Sequence, residues 1–163
     1  LSHAIELDPS YAWALGSRGA AHRAAGQEAE ALADFDRALE LDPGYVWVLN
    51  QRGMLHRSAG RQDEALADFS RAIELDASNT MAYAERGEIF RLRRQHDEAI
   101  ADFTRAIALR PDYAWAIGSR GQALRAQGRY DEAIADFTRA LELRPDTAWA
   151  LAERGECHRQ LSQ

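Results

Sequence analysis

The sequence predicts an all-α chain made of repeated helix pairs. Three observations carry this: a surplus of helix formers, a 34-residue grid of small and aromatic residues, and apolar spacing in steps of three and four. The 163 residues hold 32 Ala against 13 β-branched residues (2 Val, 7 Ile and 4 Thr), which excludes an all-β fold. The hydrophobic fraction of 46% is ordinary for a folded chain, so wholesale disorder is excluded too. No stretch approaches about 18 apolar residues, and the first residues lack a basic segment followed by an apolar one, so neither a membrane span nor a signal peptide is expected. The lone Cys157 excludes an internal disulfide framework and suits a reducing compartment, so a cytoplasmic location is expected.

Pro9, Pro43, Pro111 and Pro145 fall on one 34-residue grid, with Ala77 as the missing tooth. Gly19, Gly53, Gly87, Gly121 and Gly155 share the register without a gap. So do Ala31, Ala65, Ala99 and Ala133, then Phe35, Phe69, Phe103 and Phe137, then Ala38, Ala72, Ala106 and Ala140. Five columns in one register are not chance.

The units follow in order. Residues 1–11 are the end of a truncated repeat, since Leu1 occupies the Phe column. Residues 12–45, 46–79, 80–113 and 114–147 are four whole repeats, and 148–163 are the first helix of a further one. In the second unit, Ala65, Leu66, Phe69, Ala72, Ile73 and Leu75 follow helical spacing. That helix opens on Asp63-Glu64, acids favoured by the dipole in a first turn. The other half runs from Val46 to about Arg57 and stops near Gly60, a suitable C-terminal glycine. Each unit therefore reads as helix, short turn, helix, short turn.

A two-helix, 34-residue unit with these Gly, Ala, Phe, Ala and Pro columns resembles the tetratricopeptide repeat across the whole chain. The run from Gly121 to Ala133-Ile134-Ala135-Asp136-Phe137-Thr138-Arg139-Ala140 matches closely. The resemblance implies a right-handed superhelical solenoid of antiparallel helix pairs, with the first helix of each pair on the concave side. It implies binding of a protein or peptide, and no catalysis. Small Gly and Ala would sit where helices approach, with the Phe column filling the space between units that cannot bury their apolar faces alone.

Charge adds detail. All 20 basic residues are Arg, a bias that a GC-rich coding sequence also produces. The net charge of −6 and pI near 5.4 weigh against a general nucleic-acid binder but leave a local basic stripe open. The charge drifts along the chain, negative up to Asn79 and balanced from Thr80, with 13 Arg against 13 acids.

The first helices carry a column of Trp13, Trp47, Met81, Trp115 and Trp149, which holds every Trp of the chain. At 100° per residue, Gly16, Ala20 and Arg23 lie about −60°, −20° and −80° from Trp13, on one stripe. Asn50, Met54, Glu88 and Gln122 belong to it in later units. Two readings stand: each Trp packs on the neighbouring first helix, or the Trp row anchors a ligand. Arg23, Arg57, Arg91, Arg125 and Arg159 form a column at the far end of the stripe. They are either a solvated face with local acids such as Glu88, or a ladder for carboxylates or phosphates. Arg18, Arg52, Arg86, Arg120 and Arg154 face Asp34, Asp68, Asp102 and Asp136, and are expected to pair with them within each unit. Arg37, Arg71, Arg105 and Arg139 are expected on the solvated side.

His22, His56 and His158 share a column with Phe90 and Leu124, so they are expected in the core rather than on a metal; His3 and His96 stand alone. No Gly-rich phosphate loop, Cys/His/acid cluster or zinc-protease motif is present, and neither enzymatic activity nor a cofactor is expected. Cys157 reads as a small apolar filler. A chaperone carboxylate clamp built on Lys and Asn is not expected, because the chain has no Lys and only Asn50 matches in type.

The third unit departs most: Ala77 replaces Pro, Met81 replaces Trp and Arg94 replaces the turn Gly, beside Arg91 and Arg93. This is drift or a mid-groove subsite. The abrupt ends suggest a window on a longer array, or head-to-tail docking of Leu1–Leu7 of one copy on the last helix of another. The sequence thus points to a protein-interaction scaffold binding a segment with acidic and apolar residues. Its rivals are a nucleic-acid-binding helical repeat and a regulatory or oligomerisation module of a larger protein.

Overall fold

The computed structural model describes residues 11–162. Among them are nine helices: α1 Ala12–Ala24, α2 Glu28–Leu41, α3 Val46–Ser58, α4 Gln62–Leu75, α5 Thr80–Leu92, α6 His96–Leu109, α7 Ala114–Ala126, α8 Tyr130–Leu143 and α9 Ala148–Leu161. None is long and apolar enough to cross a membrane. They form two compact units, one ending at Ala77 and one beginning at Ser78. In the first, α1 packs on α2, α2 on α3 and α3 on α4; in the second, each helix from α5 to α9 packs on the next. The first helices also touch along one side, α1 with α3, α5 with α7, and α7 with α9. The expectations for Leu1–Leu7, His3 and Pro9 lie outside the described residues.

The grid columns build the cores. Phe35, Phe69, Phe103 and Phe137 are fully buried, as are Ala31, Ala65, Ala99 and Ala133. A Cβ placed on Gly19 would come within 2.8 Å of the Phe35 ring, and one on Gly53 or Gly121 within 2.9 Å of Phe69 or Phe137. Glycine is therefore needed because the ring of the second helix lies directly on the first. Gly26, Gly60 and Gly128 close the first helices with φ of 74°, 77° and 75°. Arg94 takes the same left-handed conformation at φ 62° without glycine's freedom. Its amide still donates to the Arg91 carbonyl at 3.0 Å, so the turn is kept at a local cost.

The expected Arg–Asp pairs form in every whole unit. Arg18, Arg52, Arg86 and Arg120 each donate through Nε and Nη2 to both oxygens of Asp34, Asp68, Asp102 and Asp136, at 2.6–2.9 Å. All four carboxylates are buried. The same arginines tie neighbouring pairs together: Arg52 Nη1 donates to Asp36 at 2.7 Å, and Arg120 Nη1 to Thr104 Oγ1 at 3.2 Å. Arg37, Arg71 and Arg139 are exposed and pair with Glu40, Glu74 and Glu142 on their own helices.

The core placement of the histidines is corrected. His22 is half-buried and its Nδ1 lies 2.8 Å from Gln27 Oε1, while His158 is exposed. His56 is half-buried and accepts from Arg61 Nε through Nδ1 at 2.9 Å. The column lies beside the buried Asp of the second helix, so an imidazole there finds polar partners that Phe90 and Leu124 do not need. Cys157 is fully buried with Leu124 and Phe137, and burial pushes its thiol up.

Candidate functional site

The stripe on the first helices is built by small residues set against large ones. A Cβ on Gly16 would lie 2.7 Å from Val48 Cγ2 and 3.3 Å from Trp47 Cζ3. One on Gly118 would overlap Trp149 Cη2 and come within 3.1 Å of Cζ2. The indoles of Trp47 and Trp149 thus rest on the bare backbone of the preceding first helix. Trp115 and Trp149 meet Phe103 and Phe137 edge-on, with centroids 6.2 and 6.3 Å apart. The packing reading of the Trp column accounts for these contacts. It does not use the whole ring: Trp13, Trp47 and Trp149 stay 54%, 39% and 40% exposed. Met81, Trp115 and Met54 are half-buried. Asn50 is buried, its Oδ1 without a hydrogen-bond partner, so it is not offered at the surface as the sequence suggested.

A second ring accompanies most indoles. Tyr11, Tyr45 and Tyr113, each two residues before a Trp, pack beside Trp13, Trp47 and Trp115 with centroids 5.6, 5.9 and 5.7 Å apart. Burial pushes the phenols of Tyr45 and Tyr113 up. This Tyr column lay on the 34-residue grid and could have been read there.

The far end of the stripe differs between the units. In the second unit, Arg91 grips Glu88 through Nε at 2.8 Å and Nη2 at 2.6 Å, and this bond raises the Arg91 pKa. Arg125 Nε lies 2.7 Å from Glu153 Oε2, Gln122 donates to the same carboxylate at 3.2 Å, and Arg159 pairs with Glu156. Sequence reasoning anticipated Glu88 but missed Glu153, which stands on α9, the first helix of the repeat after its partners. In the first unit Arg23 is exposed, with no acidic partner among the described residues. Arg57 is half-buried on the same stripe. The ladder is therefore self-neutralised in the second unit and carries an open guanidinium in the first.

The tetratricopeptide repeat model matches residues 10–78 and 79–146. The chain belongs to the tetratricopeptide repeat family. No curated protein matches it by sequence. Among solved structures, this tetratricopeptide repeat chain is similar to MamA protein at 23% identity, with a TM-score of 0.87 over 93% of this chain and 82% of that one. It is similar to YrrB at 24% identity, with a TM-score of 0.88 over 99% and 83%. It is also similar to the first such domain of Spaghetti (RPAP3), bound to the HSP90 peptide SRMEEVD, at 27% identity. That match has a TM-score of 0.71 over 72% of this chain and 94% of that one. The first two likenesses concern the fold.

Proposed function

We propose that the chain is a protein-interaction module that holds an extended peptide segment along the first-helix stripe, the concave face of the family. Exposed indole faces take the apolar side chains of the segment. Its carboxylates go to Arg23 and Arg57 in the first unit, where Arg23 has no acidic partner among the described residues. That open guanidinium is the observation that carries the reading, because desolvating one free Arg against a carboxylate needs no prior ion pair to break. In the second unit, Glu88, Glu153 and Glu156 hold the arginines and leave its own stretch of stripe suited to apolar and neutral groups. The RPAP3 domain bound to SRMEEVD supports an acidic peptide as ligand. With no Lys in the chain, such a peptide is met by Arg alone.

The test is affinity for peptides selected from a random displayed library. The Arg23→Gln/Arg57→Gln variant should lose at least fivefold for acidic peptides, and Arg125→Gln less than twofold. Unchanged affinity in the double variant would overturn the reading. A nucleic-acid ligand is separated by salt: several phosphate contacts give a steep log–log slope, which a peptide with one or two carboxylates does not.

A further inference from the structure

One position of the repeat changes chemistry along the chain. Asp42 and Asp76 end the second helices α2 and α4, and Arg110 and Arg144 end α6 and α8. Asp42 is tied into its own turn, accepting the Gly44 amide at 3.0 Å. An Arg cannot make that bond. Arg110 lies instead over the Tyr113 ring, 3.4 Å from its centroid. Arg144 has no such ring, because the Tyr column ends there in Thr147. Nor does Arg144 have an acidic partner among the described residues.

The loss of Tyr at this position also leaves Trp149 without a flanking ring. Where Tyr113 flanks Trp115, Thr147 leaves the corresponding side of Trp149 open. A cleft of about 370 Å³ adjoins it, lined by Trp115, Trp149, Ala140, Arg144, Asp146 and Thr147 among others. A volume of this size holds a small ligand or one large side chain. The Thr147 hydroxyl does not cap α9, so it is not committed to the helix end. A second cleft of about 390 Å³ shares Ala114, Trp115 and Arg144 with the first and continues past Asp112 and Tyr113. Arg144 therefore serves both clefts, while Asp112 and Asp146 each serve one.

We infer that this double cleft binds an aromatic side chain of a peptide together with a carboxylate on the next residue. The ring takes the place beside Trp149 that Tyr occupies beside the other three indoles, in offset or edge-on contact. Arg144, free of acid and ring alike, takes the adjoining carboxylate in bidentate fashion. Asp146 accepts a main-chain N–H of the peptide. The adjoining cleft gives the chain room to continue, which a free amino acid would not use. The inference rests on the peptide-binding reading above and names one subsite of it, at the turn end of the Trp stripe rather than the Arg23 end.

The test uses the ¹⁵N-labelled full chain and acetyl-Gly-Phe-Glu-Gly-amide, following the four Trp indole N–H signals. Trp149 and Trp115 should shift saturably, and Trp13 and Trp47 should not. The Gln-for-Glu peptide should bind at least threefold more weakly, and the Ala-for-Phe peptide should not shift Trp149. Arg144→Gln should level the Glu and Gln peptides. Thr147→Tyr should abolish binding; it restores a residue that the fold already carries in three other repeats, and its circular dichroism and melting confirm that it is folded. Binding unchanged in Thr147→Tyr, or absent in the wild type, overturns the inference. Loss of binding in Arg23→Gln/Arg57→Gln with full binding in Thr147→Tyr rejects the cleft and spares the wider stripe. The converse pattern keeps the cleft and rejects the stripe.

Discussion

Arg120 grips Asp136 with two parallel bonds, Nε to Oδ2 at 2.8 Å and Nη2 to Oδ1 at 2.7 Å. The carboxylate is buried and the guanidinium is a quarter exposed. Removing either partner alone strands a desolvated charge, so each single change should destabilise by about 2 kcal/mol. A double-mutant cycle of Arg120→Met and Asp136→Leu should give a coupling energy of about 1 kcal/mol or more. Additive single effects in urea denaturation would refute the pairing.

Gly118 should tolerate no side chain. Its Cβ would overlap the Trp149 indole, which also meets Phe137 edge-on. Gly118→Ala should cost about 1–3 kcal/mol through overpacking and should change Trp fluorescence as the ring is displaced. Gly155→Ala, with nothing within 4 Å of the added atom, should instead stabilise α9 by about 0.5–1 kcal/mol. Equal effects at the two sites would contradict this account of the stripe.

Arg94→Gly should raise the melting temperature. The residue holds φ 62° at a turn where the other units have Gly26, Gly60 and Gly128. Relief of the strain is worth up to about 1 kcal/mol, or roughly 2–4 °C in a chain of this size. A lower melting temperature would mean that the Arg94 side chain stabilises the third unit by more than its backbone costs.

His56 should make stability depend on pH. Burial holds its pKa below the usual imidazole value, against the attraction of Asp68, and Arg61 donates to Nδ1, a bond only the unprotonated nitrogen can accept. The unfolded chain therefore binds this proton more readily than the folded one. The contribution is fully present above the unfolded value near about 6.5 and is lost as pH falls from there towards the lowered folded value. His56→Phe, matching Phe90 in the next unit, should flatten urea midpoints measured between pH 7 and 5. An undiminished slope in the variant would assign the dependence elsewhere.

The sequence carried the helices, the turn glycines, the Phe–Gly contacts and the Arg–Asp pairs, because each follows from residues at fixed offsets within one repeat. Arg94 was legible for the same reason: it breaks a column whose backbone requirement is known. The histidines were not, since their neighbour is a buried Asp on another helix, and the apolar residues of their column concealed it. Glu153 was missed because its partners Arg125 and Gln122 lie one repeat earlier, an offset that no column displays. The Trp stripe was found, but its division into packed and exposed faces depends on Gly16 and Gly118, whose meaning appears only when an indole is laid across them. The cleft beside Trp149 depends on Thr147 ending the Tyr column, a single substitution that gains weight once Tyr113 is seen covering Trp115 and carrying Arg110.

The central claim is that peptide binds on the first-helix stripe. Chemical-shift mapping of a library-selected peptide on the ¹⁵N-labelled chain tests it most directly. The account expects the largest shifts in the first unit, at Trp13, Arg23, Met54 and Arg57. Shifts confined to Arg37, Arg71 and Arg139 on the second helices would contradict it.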